Sequence, residues 1–236
     1  MNWVVVPAGG IGSRMQADVP KQYLGVLGAS VLEHTLRRLL THPRIDGVVV
    51  AVAADDFLWR DLAVTVESKP VLYCIGGADR AASVEAGLVA LPDDVETMDW
   101  VLVHDAARPC VRHQDLDRLF DALDTPGIAG ALLAAPVRDT LKQSCGPQGT
   151  IAQSTVDRGL YWRAFTPQAF RRGELLSCLR AARVAGRQIT DEASAMEGHS
   201  LPIRLIESSE DNIKLTTPSD LAMIEFILQK QAANSD

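Results

Sequence analysis

Short apolar runs of strand length recur along the chain, and segments of helical character separate them. The runs are rich in valine and apolar at consecutive positions, which is typical of parallel strands that helices cover on both faces. Six such runs are Trp3 to Val6, Gly47 to Ala53, Val71 to Ile75, Trp100 to His104, Ile128 to Ala135 and Ile203 to Ile206. Because strands and helices alternate, the sequence predicts an α/β fold with a doubly wound, mainly parallel sheet.

Helix signals follow these runs. Ser30 with Glu33 three residues later is a capping-box pattern, and Thr217 followed by Pro218 predicts the start of a C-terminal helix. The predicted helices cover Thr35 to Leu40, Arg80 to Ala90, Gln114 to Leu123, Gly173 to Ala185 and Ser219 to Gln231. The chain has 236 residues, of which 47% are hydrophobic, and we predict one Rossmann-like domain over residues 1–236.

One region, Val137 to Ala164, breaks the alternation. The turn Gly146-Pro147-Gln148-Gly149 separates Thr140 to Ser144 from Thr150 to Val156, and these two stretches are predicted to pair as a hairpin. The region is too long for a simple connection between a strand and a helix. An arm without a core of its own needs a surface to pack on. We therefore predict that residues 137–164 project from the sheet as an arm that packs on a partner.

Composition excludes several classes of partner. The net charge of -7 gives no general attraction to nucleic acid or to an anionic membrane, so any phosphate binding must be local. The four cysteines are far apart and fit neither a zinc pattern nor a disulfide framework, which favours a reducing cytoplasm. The N-terminus lacks the pattern of a signal peptide, and no apolar run has the length of a membrane span.

The first predicted strand leads into a glycine-rich loop, Gly9-Gly10-Ile11-Gly12, with Arg14 and Lys21 close behind. In open α/β sheets, ligands bind beyond the carboxyl ends of strands, where glycine lets backbone N–H groups approach phosphate oxygens. The cations favour a phosphate site, although a turn that only needs flexible residues is the other interpretation of the glycines alone. The dinucleotide fingerprint fails because Met15 replaces its third glycine, and the P-loop pattern is missing.

The loop resembles the signature of a known family. Pro7-Ala8-Gly9-Gly10-Ile11-Gly12-Ser13-Arg14-Met15, with Pro20-Lys21-Gln22-Tyr23, is similar to the cytidylyltransferases that make CDP-linked polyols, above all the 2-C-methyl-D-erythritol 4-phosphate cytidylyltransferases of the non-mevalonate isoprenoid pathway. Further matching blocks are Gly76-Gly77 with Arg80 and Ser83, Val103 to Pro109, Ala135 to Thr140, Thr155 to Arg158, Thr166 to Gln168, Thr190 to Ala193 and Asp211 to Lys214. The resemblance therefore covers nearly the whole chain.

The resemblance implies a reaction and a set of site residues. A phosphate oxygen of the polyol phosphate would attack the α-phosphorus of CTP with Mg²⁺ as cofactor, and fixed cations would stabilise the charge that accumulates. Catalytic roles are implied for Arg14, Lys21, Arg158 and Lys214, and Asp105 is the implied metal ligand. The implied nucleotide contacts are Ala8, Gly9, Gly10, Arg14, Lys21, Gly76, Gly77, Ser83, Asp105 and Ala106. The implied polyol-phosphate contacts are Asp105, Arg108, Thr140, Arg158, Thr166, Thr190 and Lys214.

One position departs from the family pattern, and other residues near the predicted site have expected structural roles. Ala78 stands where many relatives carry an acidic residue, so we expect a backbone contact there. His104 is expected to pack within its strand, and Asp191 to cap a short helix with Glu192 in its first turn. In the family the arm crosses to a neighbouring subunit, which would complete each site. Two other functions stay open: a ribitol- or other polyol-phosphate cytidylyltransferase, and a catalytically silent nucleotide-binding module.

Overall fold

Strands and helices alternate along most of the chain. The computed structural model describes residues 1–10, 19–62, 64, 66, 69–146, 149–197 and 202–233. Its strands are β1 (Asn2–Pro7), β2 (Gly25–Val26), β3 (Ala29–Ser30), β4 (Gly47–Val52), β5 (Val71–Ile75), β6 (Trp100–Val103), β7 (Gly130–Pro136), β8 (Leu141–Ser144), β9 (Ala152–Val156), β10 (Trp162–Arg171) and β11 (Ile203–Glu207). Its α-helices are α1 (Val31–Leu40), α2 (Arg80–Val89), α3 (His113–Leu123), α4 (Arg172–Val184), α5 (Glu192–Glu197) and α6 (Pro218–Ala233). Short 3-10 helices lie at Lys21–Tyr23, Leu58–Asp61 and Arg158–Leu160.

Seven of the described strands form one sheet, in the spatial order β5-β4-β1-β6-β10-β7-β11. β1 pairs in parallel with β4 and with β6, and further parallel pairs join β4 to β5 and β7 to β11. β10 is reversed and lies antiparallel between β6 and β7. The predicted mainly parallel sheet is confirmed, and each of the six predicted strands is present with small shifts at its ends.

Side chains on β1 alternate between two apolar layers. Val4 and Val6 are fully buried in the layer that contains residues of α1 and α3. Trp3 and Val5 are buried in the layer that contains residues of α2 and α4. This alternation follows from the two-residue period of a strand, whose successive side chains point to opposite faces. Helices cover both faces of the sheet, so the predicted doubly wound arrangement is confirmed.

The predicted signals set the starts of α1 and α6. Ser30 Oγ accepts from the Glu33 N–H at 3.2 Å, and Glu33 Oε2 accepts from the Ser30 N–H at 2.7 Å, which completes the capping box. α6 begins at Pro218 and packs on a third apolar cluster that contains Leu215. The Leu215 N–H donates to the carbonyl of Ala107 at 2.9 Å, which holds the segment before α6 against the end of β6. No helix in the described part of the chain combines the length and apolar character that a membrane span requires.

β10 is missing from the sequence prediction, which assigns its first residues to the arm. Pro167 has no N–H to give to a sheet ladder, and the pairing of β10 with β7 shifts register around it, so the apolar pattern of this strand is irregular. Trp162 already pairs with Pro136 of β7. The prediction of an arm over 137–164 therefore extends too far, because residues 162–164 belong to the central sheet.

The predicted hairpin is present as β8 and β9. Leu141 pairs with Val156 and Lys142 with Thr155 in an antiparallel two-stranded sheet separate from the central one. Nearly all of its described residues are exposed. Ile151 beside it and Leu160 behind it are 71% and 80% exposed, although both are large and apolar. This hairpin buries little of its own surface in a single chain.

The carboxyl ends of β1, β4, β5 and β6 meet at one edge of the central sheet. The segment after β1 carries Gly9 and Gly10, the segment after β5 carries Gly76 and Gly77, and Asp105 follows β6. Ligands of open α/β sheets bind beyond this edge. The topology therefore gathers three of the blocks singled out in the sequence at the place where a ligand is expected.

Candidate active site

A cavity of about 350 Å³ opens at this edge. Five separate stretches of the chain line it: the segment after β1, the 3-10 helix Lys21–Tyr23, the turn before α2, the segment after β6 and the segment before α6. Of the predicted site residues, its lining includes Ala8, Gly9, Gly10, Lys21, Gly77, Ser83, Asp105, Ala106 and Lys214. Residues distant in sequence are therefore brought together as predicted, although their contact with a ligand stays a prediction.

The turn at Gly76 and Gly77 is packed tightly against α2. A Cβ atom on Gly77 would lie 2.3 Å from the Ala82 Cβ, so this position requires glycine, and one on Gly76 would lie 2.7 Å from the Ser83 Oγ and displace that hydroxyl. Ser83 Oγ accepts from the Gly77 N–H at 3.2 Å and donates to the carbonyl of Asp79 at 2.8 Å. Ser83 therefore fixes the shape of the turn that carries the predicted nucleotide contacts.

The residues beside this turn have separate roles. The Asp79 carboxylate caps α2 by accepting from the Ala82 N–H at 2.8 Å. Ala78 and Asp79 both line the cavity, and Ala78 has no side chain beyond Cβ to offer a ligand. The expectation of a backbone contact at Ala78 is consistent with this arrangement and stays a prediction.

Gly9 and Gly10 have no comparable reason within the described part of the protein to be glycine. A Cβ on Gly9 would make ordinary contact with the Ala53 backbone at 3.5 Å, and a Cβ on Gly10 would meet no described atom within 4 Å. Neither residue has a positive φ. The buried Gln22 fixes the loop from below, because its Nε2 donates to the carbonyl of Ala8 at 2.6 Å. Of these two glycines, Gly10 therefore has open space where a side chain would lie, as far as the described residues show.

Gln22 is a supporting residue that the sequence did not single out. It lies in the Pro20-Lys21-Gln22-Tyr23 block, in which only Lys21 was predicted to be functional. Its burial and its hydrogen bond to a carbonyl 14 positions earlier depend on how the 3-10 helix packs under the loop. A glutamine within a recognised block is the only signal that the sequence contains.

The segment before α6 carries Lys214 and also binds the ammonium group of Lys21. Lys21 Nζ donates to the carbonyl of Leu215 at 2.7 Å, and Lys214 Nζ lies 2.8 Å from Asp105 Oδ2. The segment itself is fixed by the hydrogen bond from Leu215 to Ala107. Two predicted catalytic cations are thus placed on the same side of the cavity, with their long side chains tied at the ammonium group.

Asp105 is the centre of the charged cluster. Its Oδ1 accepts from Arg80 Nε at 3.2 Å, and its Oδ2 accepts from Arg108 Nε at 3.3 Å in addition to Lys214. Burial alone would raise the pKa of Asp105, but Arg80, Lys214 and Arg108 hold that pKa well below its ordinary value. The carboxylate is therefore ionised at neutral pH and shared by three cationic side chains of the described residues.

A second carboxylate, Glu192, supports the cluster from inside the protein. Arg80 Nη1 donates to its Oε1 at 2.6 Å and Nη2 to its Oε2 at 3.1 Å, while the Glu192 side chain is 0% exposed. Asp191 caps α5 as predicted, because its Oδ1 accepts from the Ser194 N–H at 2.9 Å, and Glu192 lies in the first turn of α5 as predicted. The pair between Glu192 and Arg80 was not predicted, since the two residues lie far apart in sequence.

His104 and Thr166 fix the backbone of Asp105. The Thr166 hydroxyl oxygen accepts from the Asp105 N–H at 3.0 Å and lies 3.0 Å from His104 Nδ1, while His104 Nε2 lies 3.0 Å from the carbonyl of Arg108. A carbonyl only accepts, so these partners assign the proton to Nε2 and make Thr166 the donor to Nδ1. Burial lowers the pKa of His104 to about 4. His104 is thus a neutral packed residue, as predicted.

A smaller cavity of about 190 Å³ adjoins the first one, and both are lined by Arg80, Asp105 and Lys214. Of the seven predicted polyol-phosphate residues, its lining includes Asp105, Arg108, Thr166, Thr190 and Lys214. Asp105 and its cations therefore stand at the junction of two spaces. This arrangement suits two substrates that must meet, with their phosphates on the shared cations.

The other predicted site residues lie elsewhere. Thr140 and Arg158 are exposed beside the hairpin, and neither lines these two cavities of the described chain. Arg158 Nη1 donates instead to the carbonyl of Arg138. Gly76 lies behind the lining, where it packs against Ser83. Arg14 lies outside the described residues.

Asp105 is the predicted ligand of Mg²⁺, and the oxygen donors near it decide whether such an ion fits. No group of three or more His, Cys, Asp or Glu side chains suited to a metal ion occurs among the residues that the structure describes. Asp105 offers one carboxylate, and hydrogen bonds from described residues use about three of its roughly four acceptor positions. Mg²⁺ commonly takes one or two protein carboxylates and completes its shell with phosphate and water. The donor set therefore fits a magnesium ion that arrives with a phosphorylated ligand.

Comparison with known proteins identifies the family. The sequence model of IspD, 2-C-methyl-D-erythritol 4-phosphate cytidylyltransferase, matches residues 2–230. The chain belongs to this family. A curated relative of that name from Xanthomonas campestris pv. campestris (strain 8004) is 52% identical over 226 residues, which cover 96% of this chain and 84% of the relative. One from Stenotrophomonas maltophilia (strain K279a) is 51% identical over 230 residues, covering 98% and 97%.

Solved structures agree with the assignment. The crystal structure of Francisella tularensis 2-C-methyl-D-erythritol 4-phosphate cytidylyltransferase matches with a TM-score of 0.80 at 33% identity, covering 96% of this chain and 99% of its own. The enzyme of the same name from Thermus thermophilus matches with a TM-score of 0.75 at 30% identity, covering 96% and 98%. The predictions of a Rossmann-like fold and of a nucleotidyltransferase enzyme are confirmed, and a catalytically silent module is not favoured.

Proposed function

We propose that the two adjoining cavities bind CTP and 2-C-methyl-D-erythritol 4-phosphate, and that CMP is transferred between them with release of pyrophosphate. The observation that carries this proposal is the cluster around Asp105, where cations border both cavities at once. In this isoprenoid precursor reaction the product is 4-diphosphocytidyl-2-C-methyl-D-erythritol. The predicted cytoplasmic location, without nucleic-acid or membrane partners, belongs to the same proposal.

The charge of the cluster suits phosphorylated substrates. Lys21, Arg80, Arg108 and Lys214 supply four cationic side chains to the walls of the two cavities. Asp79, Asp105 and Asp191 line the cavities too, but Asp79 and Asp191 accept hydrogen bonds at the starts of α2 and α5, whereas Asp105 is the carboxylate that contacts Arg80, Arg108 and Lys214. The chain as a whole carries a net charge of -7, so this grouping of cations around Asp105 is local. Cations grouped at one point of a cleft attract anionic ligands and hold them there.

The reaction needs these cations more than it needs a base. An oxygen of the polyol phosphate forms a bond to the α-phosphorus of CTP, the bond from that phosphorus to the bridging oxygen breaks, and pyrophosphate leaves with the electron pair. The attacking oxygen is already anionic, so no proton has to be removed. Lys21 and the predicted Arg14 would stabilise charge on the triphosphate, and Lys214 would orient the attacking phosphate.

The nucleotide is assigned to the larger cavity. Gly10 leaves room for phosphate oxygens to approach the backbone, and the rigid turn that contains Gly77 and Ala78 forms the wall beside the space expected for the base. A wall of backbone groups at fixed distances can exclude a purine by shape. Mg²⁺ is the proposed cofactor. Asp105 would supply its single protein carboxylate, and the ion would neutralise charge on the phosphates.

A homodimer is part of the proposal. The hairpin leaves Ile151, Leu160 and Tyr161 exposed, and Thr140 and Arg158 lie beside them, away from the cavities of their own chain. Packing of the hairpin on a second copy would cover the apolar residues. It would also bring Thr140 and Arg158 to the polyol-phosphate cavity of that copy. Neither residue lines that cavity in its own chain.

The choice of polyol phosphate can be tested directly. Purified protein with CTP and Mg²⁺ should release pyrophosphate with 2-C-methyl-D-erythritol 4-phosphate and give a much lower kcat/KM with ribitol phosphate, because the relatives that match nearly the whole chain are named for the former substrate. Coupled measurement of pyrophosphate checks this, with reactions that lack either substrate as controls. A higher kcat/KM with ribitol phosphate would replace the proposed substrate.

The role of the glycine loop predicts an effect of Gly10→Ala. The added methyl group meets no described protein atom within 4 Å, so the free energy of unfolding should change little, whereas CTP would have to shift to avoid it. A clash of this kind costs about 1–3 kcal/mol, which raises the calorimetric Kd for CTP roughly 5- to 150-fold. Gly25→Ala is the matched control, since Gly25 is also open but lies outside the cavity. Equal CTP affinity in both variants would mean that the loop is misassigned.

The shared site predicts complementation between subunits. Mixing Arg14→Ala chains with Arg158→Ala chains should restore activity, because one site of each mixed dimer then receives an intact loop and an intact arm. If half of the dimers are mixed, about a quarter of the unsubstituted activity returns. Mixing Arg14→Ala with Lys21→Ala is the control and should restore nothing, since both residues belong to the same side of the site. Absence of rescue in confirmed mixed dimers would place each site within one chain.

A further inference from the structure

Glu192 is a fully buried carboxylate that has no step in the reaction described above. It begins α5, and both of its oxygens accept from Arg80, at 2.6 and 3.1 Å. This two-point contact fixes the plane of the guanidinium group as well as its distance. A buried ion pair adds little net stability compared with apolar packing, so its presence favours a positional role.

The third guanidinium nitrogen of Arg80, Nε, contacts Asp105 where the two cavities adjoin. Its Nε donates to Asp105 Oδ1 at 3.2 Å, while the other oxygen of Asp105 accepts from Lys214 and Arg108. With its Nη atoms held by Glu192, Arg80 contacts only Oδ1 and leaves Oδ2 to the other two cations. The order of contacts around Asp105 thus depends on a carboxylate that lines neither of the two cavities.

The two halves of this pair come from opposite sides of the site. Arg80 is the first residue of α2, directly after the turn at Gly76 and Gly77 that faces the larger cavity. Glu192 follows Asp191, which lines the smaller cavity and accepts from Gln168 Nε2 at 2.9 Å. The pair therefore ties the nucleotide side of the site to the side assigned to the polyol phosphate.

We infer that Arg80, held by Glu192, is a positioning residue that sets the orientation of Asp105 and, through Asp105, directs Lys214 toward the polyol phosphate. This inference rests on the proposed function, because the polyol phosphate is the ligand that Lys214 orients. Without the Glu192 carboxylate, the guanidinium group of Arg80 turns to both oxygens of Asp105. Lys214 then loses its fixed partner, and the attacking phosphate loses its alignment.

Glu192→Gln tests this inference, since it retains the length of the side chain and removes its charge. Glu197→Gln is the matched control, because Glu197 is an exposed carboxylate on the same helix. We expect Glu192→Gln to raise the KM for 2-C-methyl-D-erythritol 4-phosphate about 10-fold and to lower kcat/KM for it about 30- to 100-fold. The calorimetric Kd for CTP should stay within about threefold. A purely structural role would lower the folded fraction and leave that KM unchanged, which would overturn the inference.

Two further variants keep the test decisive. Arg80→Lys alters the partly exposed end of the pair. A single ammonium group cannot hold both carboxylates as Arg80 does, so this variant should give the same rise in the KM for the polyol phosphate. It provides the test if Glu192→Gln fails to fold. Combining Glu192→Gln with Lys214→Gln should give the kcat/KM of Lys214→Gln alone within about twofold, because both act through one contact. Additive losses would contradict the inference. Failure of the proposed function is distinct, since the unsubstituted protein and Glu197→Gln would then release no pyrophosphate.

Discussion

One carboxylate shared by three cations determines how this site is built. Asp105 is nearly buried, and its two oxygens accept from Arg80, Arg108 and Lys214 at 2.8–3.3 Å. Cations packed this closely repel one another unless a negative charge lies between them. Asp105 therefore allows positive groups to be concentrated at the junction of the two cavities, where a triphosphate and a second phosphate must approach. Its position is fixed in turn by Thr166, which accepts from its backbone N–H.

The fold supplies the rigidity that this cluster needs. Asp105 follows β6 in the middle of the sheet, and Thr166 comes from β10, the reversed neighbour of β6. The buried hydrogen bond between Thr166 and His104 links β10 to the end of β6 at the site, and the one between His104 and the Arg108 carbonyl holds the segment that carries Asp105. The carboxylate is thus held by contacts within the protein. Preorganised charge is effective in catalysis because the protein does not have to rearrange as charge develops on the reacting phosphorus.

Much of this could be predicted from the sequence, and the remainder depends on tertiary contacts. The parallel strands are recognisable because they are apolar on both faces, and the residues after β1 and β6 are recognisable because loops at those ends bind ligands. β10 escapes prediction because Pro167 interrupts its pattern. The pair between Arg80 and Glu192 escapes because no local pattern relates two residues 112 positions apart. Thr140 and Arg158 line neither cavity of their own chain, and the site proposed for them depends on a second chain.

If Asp105 aligns the cations proposed to carry out nucleotidyl transfer, the reaction needs its negative charge. The most direct test is the kcat/KM for pyrophosphate release by Asp105→Asn, because asparagine has the same shape as aspartate without its charge. We expect a fall of about 10²- to 10³-fold in protein whose circular dichroism shows an intact fold. A kcat/KM within about threefold of the unsubstituted value would contradict it, since the cations would then be aligned without the carboxylate.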